Sequence, residues 1–100
     1  MKNVVLFCAA GMSTSLLVSK MRKAAEEAGL EYEINAHALS EAPTYGPEAD
    51  IILLGPQVGY KLKETQAQFP DKPVEGINMQ DYGMMNGAKV IARVKEVLGD

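Results

Sequence analysis

Two hydrophobic periods take turns along this chain. Val4-Val5-Leu6-Phe7-Cys8 is a short, continuously apolar, β-rich run, the pattern of a strand buried on both faces. Small and hydroxyl residues follow, and then Leu17, Met21, Ala24, Ala25 and Ala28 recur at the spacing of an amphipathic helix. Ser19, Lys20, Arg22, Lys23, Glu26 and Glu27 fill its other face, and Gly29 suits the left-handed position that stops a helix. Residues 31–38 alternate strictly, with Tyr32, Ile34, Ala36 and Ala38 on one side and Glu31, Glu33, Asn35 and His37 on the other. That alternation predicts an edge strand.

The second half repeats the theme with less contrast. Residues 40–50 contain Pro43, Gly46 and Pro47 and read as a loop with at most a short helical turn. Ile51-Ile52-Leu53-Leu54 predicts another fully buried strand, ended by Gly55-Pro56. A helix over about 58–69 would turn Val58, Leu62 and Phe69 inward, and residues 73–77 form a marginal fourth strand. The polar, glycine-containing stretch 78–86 reads as a loop. A last helix over 88–98 places Ile91, Val94 and Leu98 inward.

Strand and helix alternating in this way imply right-handed βαβ units around a parallel sheet. The expectation is one α/β domain spanning 1–100: a four-stranded parallel sheet in the order 2-1-3-4 with helices on both faces. That is a flavodoxin-like three-layer sandwich, the shape shared with low-molecular-weight phosphatases. Ligands of such sheets sit beyond the carboxyl ends of the strands, at the switch point beside the first strand. Cys8 falls there.

Composition narrows the class of function. Of 100 residues, 47% are hydrophobic and 23% charged, the balance of an ordinary globular domain that buries roughly two-thirds of its unfolded surface. The net charge of −3 offers no basic field for a nucleic-acid backbone. Cys8 is the sole cysteine, so neither an internal disulfide nor a cysteine-rich zinc site is available. No apolar run approaches the length of a membrane span, and the apolar residues after Met1-Lys2-Asn3 are too few for a signal-peptide core. A cytoplasmic protein with a reduced thiol, no nucleic-acid partner and no direct membrane insertion is the expectation.

One constellation carries chemistry. Cys8 ends a buried strand and opens the loop Ala9-Ala10-Gly11-Met12-Ser13-Thr14-Ser15, which runs into a helix N-terminus. A loop of small residues can turn its main-chain amides inward, and the first helical turn adds donors without partners. Together they suit a tetrahedral dianion such as phosphate and favour a thiolate over a thiol. Gly11 permits unusual backbone angles, and Ser13, Thr14 and Ser15 can donate hydroxyl hydrogen bonds or cap the helix. The plainer alternative is a small buried hydrophobe at a strand end. Nucleotide motifs are not met, since the loop has one glycine and no Gly-Lys-Ser/Thr.

The spacing also invites comparison with cysteine phosphatases, whose signature is C-x5-R-[ST] between strand and helix. Here the sixth residue after Cys8 is Thr14, so the guanidinium that would clamp the transition state is missing. Asp81-Tyr82, after the fourth strand, offers a general acid at the same edge. Without the arginine, a cysteine that holds a phosphoryl group and keeps it from water fits better than a hydrolase. Three readings stay open on the residues alone: a phosphoryl carrier, a low-molecular-weight-phosphatase-like hydrolase, and a non-catalytic flavodoxin-like interaction module.

Leu6-Phe7-Cys8-Ala9-Ala10-Gly11-Met12-Ser13-Thr14-Ser15-Leu16-Leu17 and Asp50-Ile51-Ile52-Leu53-Leu54-Gly55-Pro56-Gln57 resemble the enzyme IIB components of the bacterial phosphotransferase system, lactose/cellobiose (chitobiose) class. Asp71-Lys72-Pro73-Val74 and Asp81-Tyr82-Gly83-Met84-Met85-Asn86-Gly87 extend the resemblance over nearly the whole chain. It implies that Cys8 becomes a phosphocysteine. The phosphoryl group would come from a phosphohistidine of enzyme IIA and pass to a β-glycoside of cellobiose, chitobiose or lactose type held by the membrane component, enzyme IIC. The chain would then work in the cytoplasm and, transiently, at the inner membrane face. It implies no cofactor and no metal, with the amides of Ala9 to Ser15 stabilising the phosphoryl oxygens. The family also lacks the phosphatase arginine, in keeping with Thr14.

His37, the only histidine, reads as a solvated edge residue rather than a catalytic one. Lys20, Arg22 and Lys23 read as an ordinary solvated helix face, with steering of a phosphorylated partner as the alternative. Met12 and Leu16 are either partner contacts or inward packing. Gln57 borders the Cys8 loop, while Met84 and Met85 read as packing residues. Redox sensing at Cys8 lacks a resolving cysteine.

Overall fold

β1 (Lys2–Cys8) is hydrogen-bonded on both edges, to β2 (Tyr32–Ala38) on one side and β3 (Ile51–Leu54) on the other. β4 (Val74–Gly76) completes a four-stranded parallel sheet in the order β2-β1-β3-β4, as the pattern predicts. These relationships come from a computed structural model, in which residues 1–9 and 15–100 are described.

The pleat sends alternate side chains of β1 to opposite layers. Val4 and Leu6 join Ile34, Ile51 and Leu53 beneath α1 (Ser15–Glu27) and the carboxyl-terminal helix α5 (Gly87–Leu98). Val5 and Phe7 join Ile52 and Leu54 on the other face. That layer is closed by the one-turn α2 (Ala42–Tyr45), by α3 (Leu62–Gln68) and by the turns around them. Val4, Leu6 and Phe7 are each fully buried, and burial of side chains this size stabilises by about 1.5–3 kcal/mol apiece. Continuous hydrophobicity in 4–8 and 51–54 thus follows from layers on both sides. Three layers, with helices on either face, are the α/β sandwich expected.

Helix α1 ends where expected. Gly29 adopts φ +72°, and the Leu30 amide donates to Ala25 O at 2.9 Å, closing the last turn. Arg22 then ties this helix to the edge strand: its Nε and Nη2 donate to Ile34 O at 2.9 and 2.6 Å. The arginine of the basic cluster is therefore occupied in holding α1 to β2, leaving Lys20 and Lys23 exposed.

Three details differ from the sequence reading. Residues 39–48 are not a loop but a string of short helical turns around α2, in which Pro43 and Pro47 each stand in a first turn, where a missing N–H costs nothing. The helix over 58–69 is split into a 3₁₀ segment, Pro56–Lys61, and α3, with a non-helical Val58 inside the first. Residues 78–86 contain α4 (Met79–Gly83), started by the Asn78 side chain, which accepts from the amides of Gln80 and Asp81.

Candidate functional site

The carboxyl end of β1 is held from both sides. Cys8 pairs in register with Ala38 of β2. On the other edge the Gly55 amide donates to Phe7 O at 2.9 Å, continuing the ladder one residue beyond Leu54. Parity along the strand puts Cys8 on the face of Leu6, beneath the layer from which α1 starts. Ser15 opens α1, whose first turn carries no acidic residue, so the positive end of its dipole is not neutralised from within. A helix start beyond a strand's end is the arrangement that favours an anion.

Cys8 itself is fully buried, at 0% exposure, whereas Ala9 and Ser15 are exposed. Of the expected phosphate loop, Ala10, Gly11, Met12, Ser13 and Thr14 lie outside the described residues. On the β3 side Cys8 is flanked by Gly55, which leads into the turn Pro56-Gln57. A Cβ placed on Gly55 would stand 3.5 Å from Cys8 Cβ and 2.9 Å from Gln57 Oε1. Gln57 is exposed, and the Val58 amide donates back to Gly55 O at 3.0 Å, fixing the turn that carries it.

Other singled-out residues are placed elsewhere. Asp81 lies on α4, two strands from β1, where its carboxylate is 4.0 Å from Lys89 Nζ. With Glu75, Asn78, Lys89 and Arg93 it lines a cleft of about 400 Å³ between β4 and α5 that does not include Cys8. The structure therefore does not bring the offered general acid to the cysteine. His37 is half-buried, its ring stacked on that of Tyr45 with centroids 3.6 Å apart and planes 4° from parallel. It is packed rather than freely solvated. Met85 packs against the core beneath α1 and α5, but Met84 is exposed, contrary to the packing expected of it.

Large apolar side chains stand in solvent after three of the four strands. Leu16 is 54% exposed at the start of α1, Tyr60 80% after β3, and Met79 74% after β4. Leu16 thus takes the outward of its two expected positions; Met12 is outside the described residues. Tyr60 and Met79 escaped notice in the sequence. Their signal is positional: both follow a predicted strand within a few residues, on the edge that carries Cys8.

Residues 3–93, which include Cys8, Gly55 and Gln57, match the family model described as the phosphotransferase system, lactose/cellobiose-specific IIB subunit. The chain belongs to that family. The galactose-specific EIIB component of Lactococcus lactis subsp. cremoris is 48% identical over 104 residues, covering 97% of this chain and 96% of the relative. The cellobiose-specific EIIB component of Lactococcus lactis subsp. lactis is 47% identical with the same coverage. The solution structure of the cellobiose-specific IIB component from Borrelia burgdorferi superposes with a TM-score of 0.81 at 34% identity, covering 98% of this chain and 92% of that one.

As an IIB component the chain is a phosphotransferase of the sugar phosphotransferase system and works with other components of it. The flavodoxin-like sheet order agrees with its solved relatives. Among the described residues no helix is long and apolar enough to cross a membrane.

Proposed function

We propose that Cys8 is the phosphoryl-carrying residue of this IIB component. The observation that carries the reading is the place of the chain's one cysteine: the carboxyl end of central β1, just ahead of the acid-free start of α1. In the first step the Cys8 thiolate attacks the phosphorus of a phosphohistidine on enzyme IIA. The S–P bond forms as the N–P bond breaks, and the departing imidazole nitrogen keeps the electron pair and takes a proton. In the second step a hydroxyl of a sugar held by enzyme IIC attacks the phosphorus. The O–P bond forms, the S–P bond breaks, the thiolate returns, and the hydroxyl proton goes to a base or to water.

The main-chain amides from Ala9 to Ser15 are the proposed cradle for the phosphoryl oxygens, at about 2.7–4 kcal/mol for a well-placed donor in a dry site. The sugar is a β-glycoside of cellobiose, chitobiose or lactose type; relatives specific for galactose and for cellobiose are almost equally similar. Exposed Leu16, Tyr60 and Met79 around the same edge supply apolar area on which IIA and IIC dock in turn at the cytoplasmic membrane face. Because Cys8 is buried, the transfer also requires its sulfur to be uncovered when a donor arrives.

The test is incubation with phosphoenolpyruvate, the general phosphotransferase proteins and IIA, followed by mass spectrometry. Wild-type protein gains one phosphoryl group on the peptide containing Cys8, and Cys8→Ala gains none. Equal labelling of Cys8→Ala overturns the reading.

A further inference from the structure

The turn Gly55–Gln57 beside Cys8 has no part in the mechanism so far. Gly55 is buried at the point where the β1–β3 ladder runs out, locked by the bond from its amide to Phe7 O. It carries no side chain, and both Cys8 Cβ and Gln57 Oε1 approach the space a side chain there would fill. A Cβ on Gly55 would touch Cys8 Cβ at an ordinary 3.5 Å but would collide with Gln57 Oε1 at 2.9 Å.

Gln57 is aimed there by the turn beneath it. Pro56 fixes one backbone angle ahead of it, and Val58 behind it is buried and bonded back to Gly55 O. On that base the Gln57 side chain folds back over Gly55, its Oε1 2.9 Å from the point a Cβ there would take. A half-turn of the terminal amide exchanges Oε1 for Nε2 and presents two N–H donors to the same place. Nothing in the packing of the core calls for a polar amide here, because the side chain is in solvent.

We propose that the Gln57 side-chain amide binds the phosphoryl group carried on Cys8, and that position 55 is glycine so that the two meet across it. The inference rests on the Cys8 reading above. A neutral donor suits a carrier better than the phosphatase guanidinium: it orients a phosphoryl oxygen without clamping the transition state of attack by water. Glutamate at 57 would set a carboxylate against the dianion, and a methyl on residue 55 would push the amide aside.

The experiment measures the rate of phosphocysteine formation from phosphorylated IIA, and the ³¹P shift of the product, in wild type, Gln57→Ala, Gln57→Glu, Gly55→Ala and Cys8→Ala. Loss of one hydrogen bond to a charged group predicts a rate lower by about tenfold or more in Gln57→Ala. Gln57→Glu is slower still, Gly55→Ala is also slowed, and the ³¹P shift moves in Gln57→Ala while the unfolding midpoint does not. If Cys8→Ala stays unlabelled but Gln57→Ala keeps the wild-type rate and shift, the Gln57 inference falls and the Cys8 reading stands. Labelling of Cys8→Ala sinks both.

Discussion

Gly87 stands so close to the backbone of Lys20 that a Cβ on it would lie 2.6 Å from the Lys20 carbonyl carbon. The amide nitrogen of Met21 would be equally near. Such distances do not occur between real atoms of these types, and backbone on both sides leaves nothing flexible to swing away. The crossing of α1 and α5 therefore depends on the missing side chain. Alanine favours a helix over glycine by up to about 1 kcal/mol, but overpacking costs about 1–3 kcal/mol and often more at backbone. Gly87→Ala is expected to lower stability by about 1–3 kcal/mol in urea unfolding. An unchanged midpoint would show that the helices separate freely.

Gly46 and Gly59 make a matched pair for the opposite face. A Cβ on Gly46 would lie 2.3 Å from the Phe69 ring, whereas one on Gly59 meets nothing within 4 Å. Phe69 is itself buried, so Gly46→Ala should cost about 1–3 kcal/mol. Gly59→Ala should stay within about 0.5 kcal/mol of wild type. Parallel thermal melts of the two variants decide it.

Lys72 caps the end of the short turns from across the chain. Its ammonium donates to the carbonyls of Gly46, Pro47 and Ala49 at 3.0, 2.9 and 3.0 Å, gathering the end of the short turns that lead into β3. Lys72→Met keeps the stem and removes the donors. The expected loss is about 1.5–3 kcal/mol, read as a shift in the denaturant midpoint. A midpoint within error of wild type would mean that water replaces the ammonium without cost.

The Tyr32 hydroxyl donates to Asp100 Oδ2 at 2.7 Å. Burial, followed by that bond and the carboxylate charge, pushes the phenol from 10.0 up to about 12. Between those values the folded protein keeps a proton that the unfolded chain has lost, so stability falls as pH rises through this window. The contribution is complete below about pH 10 and gone above about pH 12. The stability gap between wild type and Tyr32→Phe should accordingly narrow from pH 8 to pH 11. A gap that widens contradicts the assignment.

The strands were legible because a strand covered on both faces has no choice but to be apolar throughout, as in 4–8 and 51–54. Edge position in β2 likewise followed from Glu33, Asn35 and His37 alternating with Ile34 and Ala36. Elements without such a constraint were misread. α4 owes its existence to the Asn78 cap and one buried ring, Tyr82, and five residues are too few for periodicity to register. An asparagine with an aspartate three residues on was the available sign.

Thr65 is an inward residue that hydrophobic periodicity does not register. It is buried in α3 with its hydroxyl donating to Lys61 O at 2.9 Å, so a polar residue occupies an inward position. In the site, Cys8 and its flank Gly55–Gln57 could be placed because both follow the ends of recognisable adjacent strands. Asp81 could not: α4, unrecognised in the sequence, carries it toward Lys89 and away from the cysteine.

Pairing along both edges makes the main chain of β1 hard to displace, since any slide would break two ladders together. Under the proposed transfer, uncovering the sulfur must then come from rotation about the Cys8 Cα–Cβ bond or from its neighbours, with the strand acting as a fixed anvil. Amide protons of Leu6 and Phe7 should exchange with solvent only on global unfolding, even while the proposed transfer proceeds at Cys8.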